Sequence, residues 1–175
     1  NIFSVPVFNT VLISFEKYNG VCMINFNLQS YYKNIGGLIF EFAIPPNKKA
    51  VYSTTSKYLT EGAFSFIEGI IYEYVPKYGE YGHWGITEVN TEQWLLIKPA
   101  LLRLKTRVDQ AQNLKELKSD LFDFRFVCML EDDYLKETAH KFSKSKPLLS
   151  QMIIDFIAWI DVTIQKYGSF YIIGI

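Results

Sequence analysis

Three stretches with apolar residues at helical spacing narrow the possible folds most, because each also carries a recognised start or stop signal. Thr60 can cap a first helix, which Pro76 and Gly79 then close. A second helix is predicted after the capping box that begins at Asn90. Pro99 lies inside this second run and predicts a kink or a break there, because proline lacks the amide donor.

The third helix is predicted to begin at Pro147, since proline is favoured at the first helical position. It is predicted to stop near Gly168. Its apolar positions 149, 152, 153, 156, 160 and 164 share one face, which indicates a single buried stripe.

The strand signals lie before and between these helices. Residues 37–44 form a strong predicted strand, ended by two prolines, and residues 122–130 alternate most clearly between apolar and polar. Residues 21–28 are rich in strand formers, residues 9–18 suit either a short helix or a strand, and residues 169–175 suit a final strand or a docked tail. This order predicts an α+β fold with a mixed or antiparallel β-sheet flanked by about three main helices.

Composition is typical of a folded protein with a packed core. The chain has 175 residues, of which 49% are hydrophobic and 21% charged, and this balance excludes a disordered chain. Since no repeat or linker divides it, one domain over residues 1–175 is expected. Cys22 and Cys128 both lie in apolar segments and are predicted to be buried free thiols.

Charge and hydropathy restrict the classes of partner. The 18 basic and 18 acidic residues balance, whereas a protein that binds nucleic acid through its phosphates usually has a basic excess. No signal peptide is evident, and Gln151, Asp155 and Asp161 interrupt the most apolar long segment, so a membrane span is not expected. The expected location is the cytoplasm, with no direct nucleic-acid or membrane partner.

The aromatic segment 71–86 is the main candidate for recognition. It holds four tyrosines, a tryptophan and a histidine, punctuated by glycines that allow unusual backbone angles. Tyrosine and tryptophan dominate binding hot spots, so Tyr78, Tyr81, His83 and Trp84 are predicted to contact a partner. The alternative is that these rings close the core beneath a long loop.

One acidic run is a further candidate site, and several common catalytic and cofactor motifs are absent from the sequence. Glu131, Asp132 and Asp133 follow the clearest strand and are secondary candidates for contact with a basic partner surface, although such runs are usually solvated turns. No phosphate-binding glycine loop, dinucleotide fingerprint, nucleophile elbow or zinc spacing occurs. No cofactor and no metal site is therefore predicted.

A rival hypothesis is a small hydrolase or metal-dependent enzyme that uses His83 with a nearby carboxylate, such as Glu80 or Glu88. A catalytic histidine needs a partner that sets its tautomer, and the sequence identifies none. We therefore expect a protein that is not an enzyme.

The segment from Tyr78 to Trp94, preceded by strands and a Glu-Gly-Ile-Ile helix, resembles bacterial contact-dependent growth inhibition immunity proteins. The resemblance covers the overall layout and this segment. It implies a single immunity domain, monomeric in the cytoplasm, that binds one toxin domain delivered by a neighbouring cell. Such proteins block a toxin, often a nuclease, by covering its active site or substrate surface.

Two further points follow from the resemblance. Some members accept a toxin hairpin as an added strand at the edge of their own sheet. The neutral charge of this chain departs from the acidic character common among nuclease inhibitors, so the resemblance leaves the toxin's activity open.

Overall fold

A four-stranded antiparallel sheet and three longer helices make up the fold, as the sequence predicts for an α+β protein. The computed structural model describes residues 24–30, 39–45, 55–81, 85–117 and 139–174. The elements in chain order are β1 Ile39–Ala43, β2 Lys57–Thr60, α1 Glu61–Tyr74, the short α2 Tyr78–Tyr81, β3 Ile86–Asn90, α3 Thr91–Gln110, a 3-10 turn Leu114–Leu117, α4 Phe142–Tyr167 and β4 Ser169–Gly174.

The sheet has the order β2-β1-β4-β3, so the last strand of the chain lies between two earlier ones. Phe42 pairs with Ile172, and Thr87 pairs with Ile172 from the other side. Paired residues share a face of the sheet, and this face packs with the helices in one large core cluster. Residues of the opposite face, Tyr171 and Ile173 among them, form a second and smaller cluster.

Two of the helices begin where the sequence predicts. The Thr60 side chain accepts a hydrogen bond from the Ala63 amide at 3.3 Å and caps α1. Asn90 and Gln93 form the reciprocal capping box of α3, with bonds of 2.9 and 3.0 Å. Both caps satisfy amides that the first helical turn leaves without a partner.

Of the kink or break predicted at Pro99, the break is wrong, because α3 continues through it to Gln110. Pro99 lies on the exposed side of the helix, while Ile97 and Leu101 beside it are fully buried. Tertiary packing of these neighbours holds the helix together where the proline removes one hydrogen bond.

The predicted start of α4 at Pro147 is also wrong, since the helix begins five residues earlier at Phe142. The amides of Lys144 and Ser145 both donate to the Lys141 carbonyl, and the side chains of Phe142 and Ser145 are buried. Packing of this extra turn extends the helix beyond its strongest sequence signal.

The end of α4 is confirmed at Gly168, which has a φ of 76°. Its amide donates to the Ile164 carbonyl at 2.8 Å, the usual closure of a helix by a left-handed glycine. The buried stripe is confirmed at Leu149, Met152, Ile153, Phe156 and Ile160, while Ile164 is partly buried.

The strand predictions have mixed outcomes. The strand at 37–44 is confirmed as β1 and the final strand as β4, whereas β2 and β3 are not among the predicted strands. The described part of 21–28 forms no strand; only Gln29, just beyond it, makes an isolated bridge to Tyr58. The predictions for residues 9–18 and 122–130, and for Cys22 and Cys128, lie outside the described residues.

Aromatic rings join the sheet to the helices. Phe40 and Phe64 have ring centroids 4.1 Å apart, and Phe42 meets Phe156 edge-on at 4.8 Å. Trp94 of α3 meets Phe170 of β4 at 6.2 Å in a T-shaped contact. These ring pairs add to the apolar area that each ring removes from water.

Polar bonds tie α3 to α4 at both ends of their antiparallel contact. Asp161 accepts from the Trp94 indole at 2.9 Å and from Lys98 at 2.7 Å. At the other end of the contact, Ser150 donates to Asp109 at 2.7 Å. These bonds fix α3 against α4 at both ends, in addition to the apolar packing between the two helices.

By length and composition alone, α4 is apolar enough to cross a membrane, and 39% of its most apolar window is buried in this structure. A core helix of a soluble protein meets the same criterion, so it is weak evidence for a span. The buried residues of α4, Phe156 among them, belong to the main core.

Replacing Gly168 tests the left-handed closure of α4. Gly168→Ala meets no atom within 4 Å, so its cost is confined to the backbone and should lower the free energy of unfolding by about 1–2 kcal/mol. Gly168→Asn should lose less, because asparagine tolerates this conformation better. Urea denaturation of both variants measures the difference, and equal losses would contradict this account.

Candidate functional site

Tyr78 lies in the core and not at a contact surface, so its predicted role as a partner contact is wrong and the core alternative holds for this ring. It is 1% exposed, and its hydroxyl donates to Glu68 Oε1 at 2.5 Å. Its ring meets Phe64 edge-on at 6.3 Å. Burial and the nearby Glu68 carboxylate raise the pKa of Tyr78 well above its ordinary value, so the phenol stays protonated and remains the donor.

The turn between α1 and α2 is tightly closed against an exposed ring. A Cβ added at Gly79 would lie 2.7 Å from Cε2 of Tyr72, which leaves room only for glycine unless that side chain moves. Tyr72 itself is 48% exposed. The first half of the aromatic segment thus holds one ring in the core, Tyr78, and one at the surface, Tyr72.

The remaining predicted contacts are not placed by the structure. Tyr81 ends α2, but its side chain lies outside the described residues. His83 and Trp84 directly precede the described start of the next strand and lie outside it too, as do Glu131, Asp132 and Asp133. Their roles in partner binding stay predictions.

The outer edge of β3 is the feature that the structure adds to this segment. The Gly174 amide donates to the Gly85 carbonyl, and the Thr91 amide donates to the Gly168 carbonyl. Because bonding alternates along an antiparallel pair, Thr87 and Val89 direct their backbone groups toward β4. Ile86 and Glu88 therefore direct theirs away from it.

No strand pairs with this outer side of β3 within the ranges that the structure describes. The side chain of Ile86 is 48% exposed, and Glu88 is exposed as well. The Ser169 hydroxyl donates to Glu88 Oε1 at 2.8 Å and holds that carboxylate near the edge. The edge thus combines backbone groups available for pairing with one apolar and one acidic side chain.

The opposite edge of the sheet is treated differently. Gln29 and Tyr58 exchange two backbone hydrogen bonds, each 2.9 Å long, along the outer side of β2. Thr60 of β2 also donates its hydroxyl to the Asn25 carbonyl at 3.2 Å. The segment 24–30 therefore covers the β2 edge, and natural sheets usually cover or blunt an edge because it can pair with another chain.

A cleft of about 330 Å³ lies between α3 and α4, but its charged side chains already bond to groups of these helices and the turn after α3. Lys105 donates to Asp109 at 2.6 Å, and Lys146 donates to the carbonyls of Asp109 and Ala111. Hydrogen bonds from Lys105 and Ser150 hold the pKa of Asp109 below its ordinary value. This arrangement is explained by the joining of the two helices.

The carboxylates named in the enzyme hypothesis are both at the surface. Glu80 is exposed in α2, and Glu88 accepts from Ser169 on the β3 edge. Within the described part of the chain, no group of three His, Cys, Asp or Glu residues is placed to hold a metal ion. No described contact favours the enzyme hypothesis.

Sequence reasoning missed β3, although a signal was present. Ile86, Thr87 and Val89 are β-branched, and the five residues alternate between exposed and buried in the structure. The segment lies between the aromatic loop and a capping box, and the patterns of both neighbours are stronger than that of a five-residue strand.

Replacing Tyr78 by Phe tests the buried pair. The change removes a donor from the Glu68 carboxylate, which is fully buried, and should lower the free energy of unfolding by about 1–3 kcal/mol. Tyr167→Phe is the matched control at a 40% exposed tyrosine and should cost less than about 0.5 kcal/mol. Guanidinium denaturation of both variants measures the difference; equal values would show that Glu68 does not depend on the phenol.

Comparison with known proteins assigns the chain to no family. No family model matches it, and neither a curated protein nor a solved structure matches it. The candidate site is defined by the geometry of the outer edge of β3, together with the aromatic segment that precedes this strand in the chain.

Proposed function

We propose that this protein is an immunity protein that neutralises a cognate toxin domain by binding it without catalysis. The observation that carries the proposal is the outer edge of β3, which pairs with no strand of the described residues, in a sheet whose other edge is covered. An edge of this kind offers main-chain hydrogen bonds to an extended segment of another protein. The layout that resembles contact-dependent growth inhibition immunity proteins includes this same strand.

The edge indicates what the bound segment looks like. Ile86 and Glu88 each offer one backbone donor and one acceptor, and the Ile86 side chain offers apolar area beside them. The acidic Glu88 side chain favours a basic residue on the partner. We therefore expect an extended toxin segment with an apolar residue near Ile86 and a lysine or arginine near Glu88.

Occlusion requires only tight binding, so no catalytic group is needed. A strand added at β3 brings the rest of the toxin domain against the aromatic segment that precedes this strand. Tyr81, His83 and Trp84 are the proposed aromatic contacts there, and Glu131, Asp132 and Asp133 the proposed charge partners. The proposed setting is the cytoplasm, with one toxin domain bound per chain.

Replacing Ile86 by a charged residue tests the proposal that the toxin docks on β3. Ile86→Glu should weaken binding to the cognate toxin domain by about tenfold or more, a loss of at least about 1.4 kcal/mol. The reason is that the change removes apolar contact and adds a second negative charge beside Glu88. Isothermal titration of purified chain and toxin domain measures the affinity.

Leu148→Glu is the matched control for this change. Leu148 is 45% exposed, close to the 48% of Ile86, but it lies on α4 away from the edge. The control should bind as the unchanged protein does. Equal affinities for Ile86→Glu and the unchanged protein would rule out β3 as the docking strand.

The aromatic contacts make a separate prediction. Replacing both Tyr81 and Trp84 by Ala should weaken toxin binding while the thermal unfolding transition stays cooperative, since two rings of a binding hot spot are removed. The same titration measures the loss. Unchanged affinity in the folded double variant would remove this segment from the interface without affecting the β3 assignment.

A further inference from the structure

Helix α3 carries two apolar rows on opposite sides. The buried row faces the core and consists of Trp94, Ile97, Leu101, Leu104 and Val108. The second row faces solvent and consists of Leu95, Pro99 and Leu102, with Leu96 beside it. Leu95 is 65% exposed, Leu96 56% and Leu102 41%.

The spacing of the exposed row is that of a helix–helix contact. Its residues are separated by four and then three positions, as in the buried row, and this alternation is the one by which helices pack along a seam. Single exposed leucines are common on protein surfaces, whereas here four apolar residues adjoin on one helix face. A second helix fits this row.

The charges at the two ends of the row indicate which helix that is. Glu92 lies three positions before Leu95, and Arg103 adjoins Leu102 at the other end. When a second α3 lies antiparallel on the first, Leu95 of each copy faces Leu102 of the other. Glu92 of each copy then lies beside Arg103 of the other, while a parallel arrangement would bring like charges together.

We propose that α3 forms an antiparallel, two-fold symmetric contact with α3 of a second copy of this chain. The contact centres on Pro99, and the same residues serve both copies, as a two-fold interface requires. Antiparallel helices also place opposite ends of their dipoles side by side. The contact leaves β3 out, so it does not depend on the proposed toxin binding.

The dimer is expected to be weak. Two short rows of side chains bury less than the standard interface of about 1,600 Å². Association should therefore depend on concentration and appear only toward the upper part of the range from about 5 to 500 μM. Sedimentation equilibrium of the full chain over that range should show the mass rise reversibly from 20.4 kDa toward twice that value.

Leu95→Asp and Leu102→Asp should each hold the mass at that of the monomer through the whole range. Both positions are exposed in the monomer, so the fold is expected to survive, and circular dichroism checks this. Val162→Asp is the matched control, because Val162 is as exposed as Leu95 but lies on α4. It should leave the dimer intact.

A charge exchange tests the antiparallel arrangement. Glu92→Arg and Arg103→Glu should each weaken the dimer several-fold, and the double variant should restore it, because the pair is re-formed with its signs reversed. Thermal melts of each variant check that the helix start at Thr91 still forms.

Three outcomes would overturn the proposal. The first is that the unchanged chain stays at 20.4 kDa at every concentration in this range. The second is that the Leu95→Asp variant dimerises as the unchanged chain does. A dimer that Ile86→Glu abolishes and Leu102→Asp spares would show self-association through β3 instead.

Discussion

The junction between Thr91 and Gly168 is the constraint on which the rest of the structure depends. The backbone amide and the side-chain hydroxyl of Thr91 both donate to the Gly168 carbonyl, at 3.1 and 2.9 Å. At this point β3 turns into α3, and beside it α4 turns into β4. Because the two transitions are bonded together, the strand pair β3–β4 and the helix pair α3–α4 are joined at one fixed point.

The register of the sheet follows from this junction. With Asn90 opposite Ser169, the alternation places Val89 and Phe170 toward the helices and leaves Ile86 and Glu88 with outward backbone groups. A slip of one residue would exchange the two faces of β3 and direct Val89 away from the core. The same bonds that fix the core therefore also determine which backbone groups the edge offers to a partner.

Local signals in the sequence predicted the parts of the fold that depend on few residues. The caps at Thr60 and Asn90 and the closure at Gly168 each involve neighbours within four positions, so their patterns are legible. The place of β4 between β1 and β3 rests on pairs that are 79 or more positions apart, which no local pattern encodes. The start of α4 differs from its predicted position for a related reason, since burial of Phe142 adds a turn that Pro147 does not signal.

The candidate site was predictable in its location along the chain but not in its chemistry. The aromatic segment was identified from side chains, whereas the edge of β3 consists of backbone groups that every residue carries.

The two proposed surfaces also differ in the charges that each would bring together in a symmetric dimer. Antiparallel pairing of two β3 edges would bring Glu88 opposite its counterpart, and like charges in that position are unfavourable. Along α3, the symmetry of the proposed dimer brings Glu92 beside Arg103, so charge favours the helix over the strand for the proposed self-association.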